Sequence, residues 1–171
     1  MKQVPVQIIG PFRRISKQRL QEVKEIILNI VEPESNRGFL MTVSNEQSFY
    51  VLTAMINKPM NPPIAIDLLK NLLDTLGVKL EKVVITEFIE PNYHALVYLD
   101  YLGQKLTLGA RPTDAITLAF RYNGLIFANE DLLMEGEIIP VTSSINLSSN
   151  LTAEEDLDWL RNLDPKKLPQ A

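Results

Sequence analysis

Between Lys82 and Arg121 the chain has few ways to fold. Three stretches rich in β-branched and aromatic residues, 82–88, 93–101 and 105–108, follow one another in close order. The last two are separated only by Leu102-Gly103-Gln104, which reads as a tight hairpin. Parallel pairing would need a crossover of a dozen residues or more, so these strands are expected to pair antiparallel. Directly after them, Pro112–Tyr122 is apolar almost all round, with Ala115, Ile116, Leu118, Ala119 and Phe120. Such a segment is expected to be a helix buried against the sheet. Asn123-Gly124 ends it, 125–128 is a short apolar strand, 130–135 a helical turn and 138–141 a last extended piece.

The N-terminal half is less explicit. Residues 4–9 read as a short strand, and Pro5 suggests a sheet edge. Over 16–31 two periods compete. Leu20, Val23, Ile27 and Ile30 have helical spacing, whereas the dense β-branched run 26–31 suits a buried strand. The expectation is a short helix from Ser16 that yields to a strand near Glu25, then a hairpin over 25–43 turning at 33–38. A helix follows over 46–56. A second, 64–76, opens on Pro63 and carries the apolar stripe Ala65, Leu68, Leu69, Leu72, Leu73 and Leu76, with Gly77 closing it. Strands and helices do not alternate regularly, which gives an α+β class: one compact domain, a largely antiparallel sheet packed against three main helices. Within the 171 residues the expected division is a basic N-terminal extension packed on the domain (1–22), the domain itself (23–141), and a Ser/Asn-rich linker with a short acidic helix (142–171). That last helix has a capping box in Thr152-Ala-Glu-Glu155, and Leu157, Trp159 and Leu160 to dock with.

Several function classes drop out on composition. With no cysteine, disulfide frameworks, thiolate metal sites and cysteine nucleophiles are excluded. His94 is the sole histidine, which excludes a paired-histidine ribonuclease mechanism in one subunit and a multi-histidine zinc site. Neither a nucleophile elbow nor a phosphate-cradling glycine loop is present. The first residues are too short and interrupted an apolar run for a signal peptide, and no run approaches a membrane span, so the expectation is a cytoplasmic chain with no membrane partner. A net charge of −4 divides into +5 over residues 1–24 and −9 over the rest. An acidic whole is not the footprint of a duplex binder.

One stretch is specific. Leu108-Gly-Ala-Arg-Pro-Thr-Asp-Ala-Ile-Thr-Leu-Ala-Phe-Arg121, with Gly124-Leu-Ile-Phe-Ala128 after it, resembles the D-x-R-P-S-D-A-I-x-L-A and P-I-F-V signature of the bifunctional nuclease domain family. Pro62-Pro-Ile-Ala-Ile-Asp-Leu-Leu69 is similar to that family's P-R-P-x-T-H-D-L-L helix start, Lys82-Val-Val-Ile85 to its K-V-x-I strand, and Tyr93-His-Ala95 to its F-Y-A. Asn162-Leu-Asp-Pro165 is similar to its tail element. Two departures stand out: Ile66 occupies the place of the pattern's histidine, and Val43-Ser44-Asn-Glu46-Gln47 the place of its glycine and Glu-Ala pair. The resemblance implies a compact α+β homodimer and a nuclease hydrolysing RNA or DNA phosphodiesters, with single-stranded nucleic acid as partner. Met41, Phe49, Tyr50 and Met55 are the apolar residues expected to serve the dimer.

On that footing the candidate catalytic residues are Asp114, Asp67 and Glu46, three carboxylates at three helix starts. Convergent carboxylates suit Mg²⁺ or Mn²⁺, and Asp67 and Asp114 are the candidate metal ligands. Arg111 and Thr113 are the candidate phosphate-binding residues. Each also has a structural reading: Asp67 and Asp114 complement helix dipoles, and Arg111 with Asp114 forms an ion pair at a helix start. His94 is expected as a half-exposed strand residue sharing a face with Leu96, Tyr98 and Asp100. The alternative function is a non-catalytic dimeric interaction or regulatory module on the same scaffold.

Overall fold

The computed structural model describes residues 1–18, 21–35, 37–58 and 60–134, all within the unit Met1–Ile139. β5 (Lys79–Ile89), β6 (Asn92–Tyr101) and β7 (Gln104–Ala110) form the expected antiparallel meander. The β6–β7 turn places Leu102 at φ 53° and Gly103 at φ 85°. Both central residues at positive φ match the right-handed strand twist, and the Asp100 carboxylate accepts the Gly103 N–H at 2.8 Å. α3 (Pro112–Tyr122) then carries the chain back, and β8 (Leu125–Asn129) lies parallel to β5. With β1 (Gln3–Pro5) at its edge beside β8, the larger sheet has the order β1-β8-β5-β6-β7. A single 3₁₀ turn, Glu130–Leu132, follows β8.

A smaller antiparallel sheet, β2-β3-β4, comes from Gln7–Gln18, Gln21–Val31 and Gly38–Val43. The helix expected from Ser16 is therefore absent. The β-branched run prevails because β3 is the central strand: residues 26–31 are buried without a break, as a strand covered on both faces requires. The strand expected over 4–9 is two strands. Its first half joins the larger sheet and its second half the smaller, with the crossing at buried Val6.

α1 (Asn45–Met55) starts on a capping box. The Ser44 hydroxyl accepts from Gln47 N, and the Gln47 side chain accepts from Ser44 N. α2 (Ala65–Leu76) is capped at its start by Ile64, so Pro63 precedes the helix instead of opening it. Gly77 closes it at φ 70°. α3 packs on β5, β6 and β8, and also on α1 and α2, which explains why it is apolar nearly all round. Ile116 and Ala119 are completely buried within it. α1 in turn touches β2 and β3 and links the small sheet to the core.

α2 is different. Only Leu73 of its stripe is buried, and Leu68, Leu72 and Leu76 remain 68%, 53% and 53% exposed. Met41, assigned from sequence to the dimer surface, is buried, and Phe49, Tyr50 and Met55 are half-buried. The 138–141 strand and the helix from Thr152 lie outside the described residues.

Candidate functional site

Sequence dictates where β7 stops. Arg111 is in an extended conformation and Pro112 occupies the first turn of α3, where its missing N–H is harmless. The N-cap, Arg111, makes no side-chain capping bond, so the N–H groups of Thr113 and Asp114 are not closed off by it. This helix start forms one wall of a cleft of about 940 Å³. The β7 end and α3 start supply Gly109–Thr113, the β5 end Thr86 and Glu87, the β6 start Pro91–Leu96, and β4 Met41, Thr42 and Val43. Gln47 of α1 and Asn129 also line it. Phe39 of β4 stacks on Tyr93 of β6 (ring centroids 4.9 Å apart), so an aromatic contact joins the two sheets at the cleft.

Thr113 is only 5% exposed, and its hydroxyl has no hydrogen-bond partner among the described residues. A buried hydroxyl left unpaired costs about 1–3 kcal/mol, so its position on a cleft wall is informative. Beside it Arg111 holds the Asp114 carboxylate in a two-point ion pair, Nε–Oδ2 2.7 Å and Nη2–Oδ1 3.1 Å. Hydrogen bonding to Asp114 first, then the charge of Asp114 and of Glu46, raises the Arg111 pKa above its ordinary value. The pair uses one edge of the guanidinium, and the Arg111 side chain is 70% exposed.

Arg111, Thr113 and Asp114 thus stand together, with Glu46 near enough to act on Arg111 through its charge. Glu46 itself accepts from the Tyr50 hydroxyl at 2.6 Å, which with burial pushes the Tyr50 phenol up to about 12. Asp67 stands elsewhere. Its Oδ1 lies 2.9 Å from Arg121 Nε at the back of α3, an ion pair by distance in which that N–H does not point at the oxygen. Arg121 Nη1 donates to the carbonyls of Thr53 and Lys58. Neither Asp67 nor Ile66 lines the cleft. Among the described residues no three His, Asp or Glu side chains gather to hold a metal ion. Glu46 and Asp114 stand by Arg111 while Asp67 stands apart at Arg121, so the three do not converge on a cage for Mg²⁺ or Mn²⁺.

Two cleft residues carry no sequence signal of their own: Glu87 and Asn129. They arrive by register and packing. β5 has one extra residue, Thr86, between the pairs Ile85–Ala95 and Glu87–His94. The Thr86 carbonyl accepts from Asn129 Nδ2 at 2.6 Å, and its hydroxyl donates to the His94 carbonyl at 3.3 Å. His94 is exposed on the side of β6 opposite buried Ala95, Val97 and Leu99, as its alternation predicts.

A sequence model of the bifunctional nuclease domain matches residues 26–140. Bifunctional nuclease 2 of Arabidopsis thaliana is 27% identical over 133 residues, covering 75% of this chain and 40% of that protein. Bifunctional nuclease 1 of Oryza sativa subsp. indica is 29% identical over 111 residues, covering 63% of this chain and 34% of that protein. An uncharacterised protein of Mycobacterium tuberculosis is 24% identical over 146 residues, covering 78% of this chain and 87% of that protein. The chain therefore spans well under half the length of the two plant nucleases. No helix among the described residues is long and apolar enough to cross a membrane.

Proposed function

Since the chain belongs to the bifunctional nuclease domain family, we propose that its cleft takes the phosphodiester backbone of single-stranded RNA or DNA and that the chain cleaves it. The observation that carries this reading is the unpaired, buried Thr113 hydroxyl at the start of α3, next to Arg111. A phosphate seated there would accept from that hydroxyl, from first-turn N–H groups at the positive end of the helix, and from the free edge of Arg111. Asp114 keeps the guanidinium in place until the ligand arrives. No step is routed through a metal, because the carboxylates do not fit one. The absence of cysteine supports the cytoplasm as the compartment.

Labelled single-stranded oligonucleotides, followed by anisotropy for binding and on gels for cleavage with and without Mg²⁺ or Mn²⁺, test this directly. Arg111→Ala should weaken binding about 10–100-fold, the loss of one charged hydrogen-bonding partner. A wild-type protein that binds no oligonucleotide sinks the reading.

A second reading, the non-catalytic dimeric module, is favoured by the uncovered leucines of α2. An antiparallel two-fold pairing centred on Leu72 sets Leu68 against Leu76 of the partner subunit. Binding without cleavage, together with a dimer lost in Leu72→Glu, would select this reading.

A further inference from the structure

Of the side chains lining the cleft, Glu87 and Arg111 are charged and His94 is the one imidazole. Glu87 and His94 stand on the paired strands β5 and β6, and Arg111 directly follows β7 as the N-cap of α3. The Thr86 bulge sets Glu87 directly opposite His94, and directly opposed residues stand with Cβ atoms about 5 Å apart. On the other flank the β6–β7 ladder ends at Ala95–Ala110, so the next residues outward are His94 on one strand and Arg111 on the other. The walls from β4 and α1 present Met41, Thr42, Val43 and Gln47, none of them charged, and Met1, which bears the α-amino group, lines the cleft beside Asn129. His94 is exposed, and its strand is tied down by the Thr86 hydroxyl donating to the His94 carbonyl.

We propose that His94 is the proton-transfer residue of this cleft, with Glu87 as its positioning residue and Arg111 holding the scissile phosphate. This rests on the phosphodiester reading above. Neutral His94 accepts a proton from the attacking water through one ring nitrogen; Glu87, opposite it in the β5–β6 register, orients the imidazole by accepting from the other nitrogen once the ring turns toward it. The water oxygen forms the new bond to phosphorus. The bond from phosphorus to the departing sugar oxygen breaks, its electron pair leaves on that oxygen, which takes a proton from solvent, and the imidazolium gives its own proton back to solvent. A phosphomonoester and a free hydroxyl result, with no change of oxidation state.

The test uses the full chain and the same single-stranded oligonucleotides, with cleavage lost in Arg111→Ala as proof that it occurs in this cleft. His94→Ala and His94→Gln should lower kcat about 10²–10⁴-fold and leave oligonucleotide affinity at the wild-type value. Both should lose the acid-side limb of the pH–rate profile, and added imidazole should restore part of the His94→Ala rate. Glu87→Gln should shift that limb and lower kcat less, and Glu87→Asp should recover part of the loss. Wild-type kcat in His94→Ala overturns this proposal and leaves the nuclease reading standing. A wild type that binds without cleaving overturns both.

Discussion

Asp67 and Asp114 are both first-turn carboxylates beside an arginine, yet the two ion pairs stand in different surroundings. The side chains of Arg121 and Asp67 are 4% and 15% exposed, whereas Arg111 and Asp114 stand at the surface. Removing one member of a buried pair leaves the other charge uncompensated, so Asp67→Asn should cost about 3–5 kcal/mol in denaturant unfolding. Asp114→Asn should cost only about 0.3–1 kcal/mol, from the helix dipole and an exposed pair. Thr113 is the opposite case, a buried group whose hydroxyl makes no hydrogen bond among the described residues. Thr113→Val keeps its shape and should leave stability within about 1 kcal/mol of wild type or raise it, while weakening oligonucleotide binding. A Thr113→Val protein that binds normally would remove the hydroxyl from the site.

Among the elements, α3 and α2 are extremes of the same amphipathic design. α3 is covered on both sides, so Ile116→Ala should cost about 2–5 kcal/mol from lost transfer energy and the cavity left behind. α2 is held by Leu73, by the Asp67–Arg121 pair and by the Tyr122 hydroxyl, which donates to the Lys70 carbonyl and the Asp74 carboxylate. Leu72→Glu should therefore change unfolding free energy by no more than about 0.5 kcal/mol, the usual range for a surface change. If α2 is the dimer surface, the same variant should sediment as a monomer at concentrations where wild type does not. Equal sedimentation of the two would clear α2 of that role.

Across the whole molecule, acid should loosen the fold through carboxylates that tie distant segments together. The Ser35 hydroxyl first, then Arg37, lowers the pKa of Glu32; Lys2 and then Arg37 lower that of Glu130. Arg37 thereby links the β3–β4 turn to the turn after β8. Lys70 and Tyr122 lower Asp74, and Lys105 with the Gly103 N–H lowers Asp100. Groups with a depressed folded-state pKa stabilise fully above their unfolded values, 4.5 for Glu32 and 3.8 for Asp74, and that contribution disappears as pH falls through the folded values. Melting temperature should be level from neutral pH to about pH 5 and decline below that. Arg37→Met should flatten the decline; an unchanged slope would show that the Arg37 links contribute nothing.

Local residue chemistry determined much of this protein. The meander ends where its turn residues put it, α3 runs over the very residues its apolar run and Asn123 mark out, and the Arg-Pro-Thr-Asp start of α3 is legible in the sequence. These features depend on neighbours a few positions apart in the chain, where propensity and capping act. The fate of β3 did not, because two sheet partners, one of them reached through a turn, decided between helical and extended periods. Nor did the exposure of α2, whose stripe looks in sequence like any core-facing helix. The cleft is the clearest case. Arg111 and Thr113 were visible in the motif, but Asp67 turned out to face Arg121, 54 positions along the chain. Glu87 met His94 only because one bulge shifted the register of β5. Spacing along a chain specifies which face a residue takes within its own element; which elements meet, and in what register, is settled by packing the whole core.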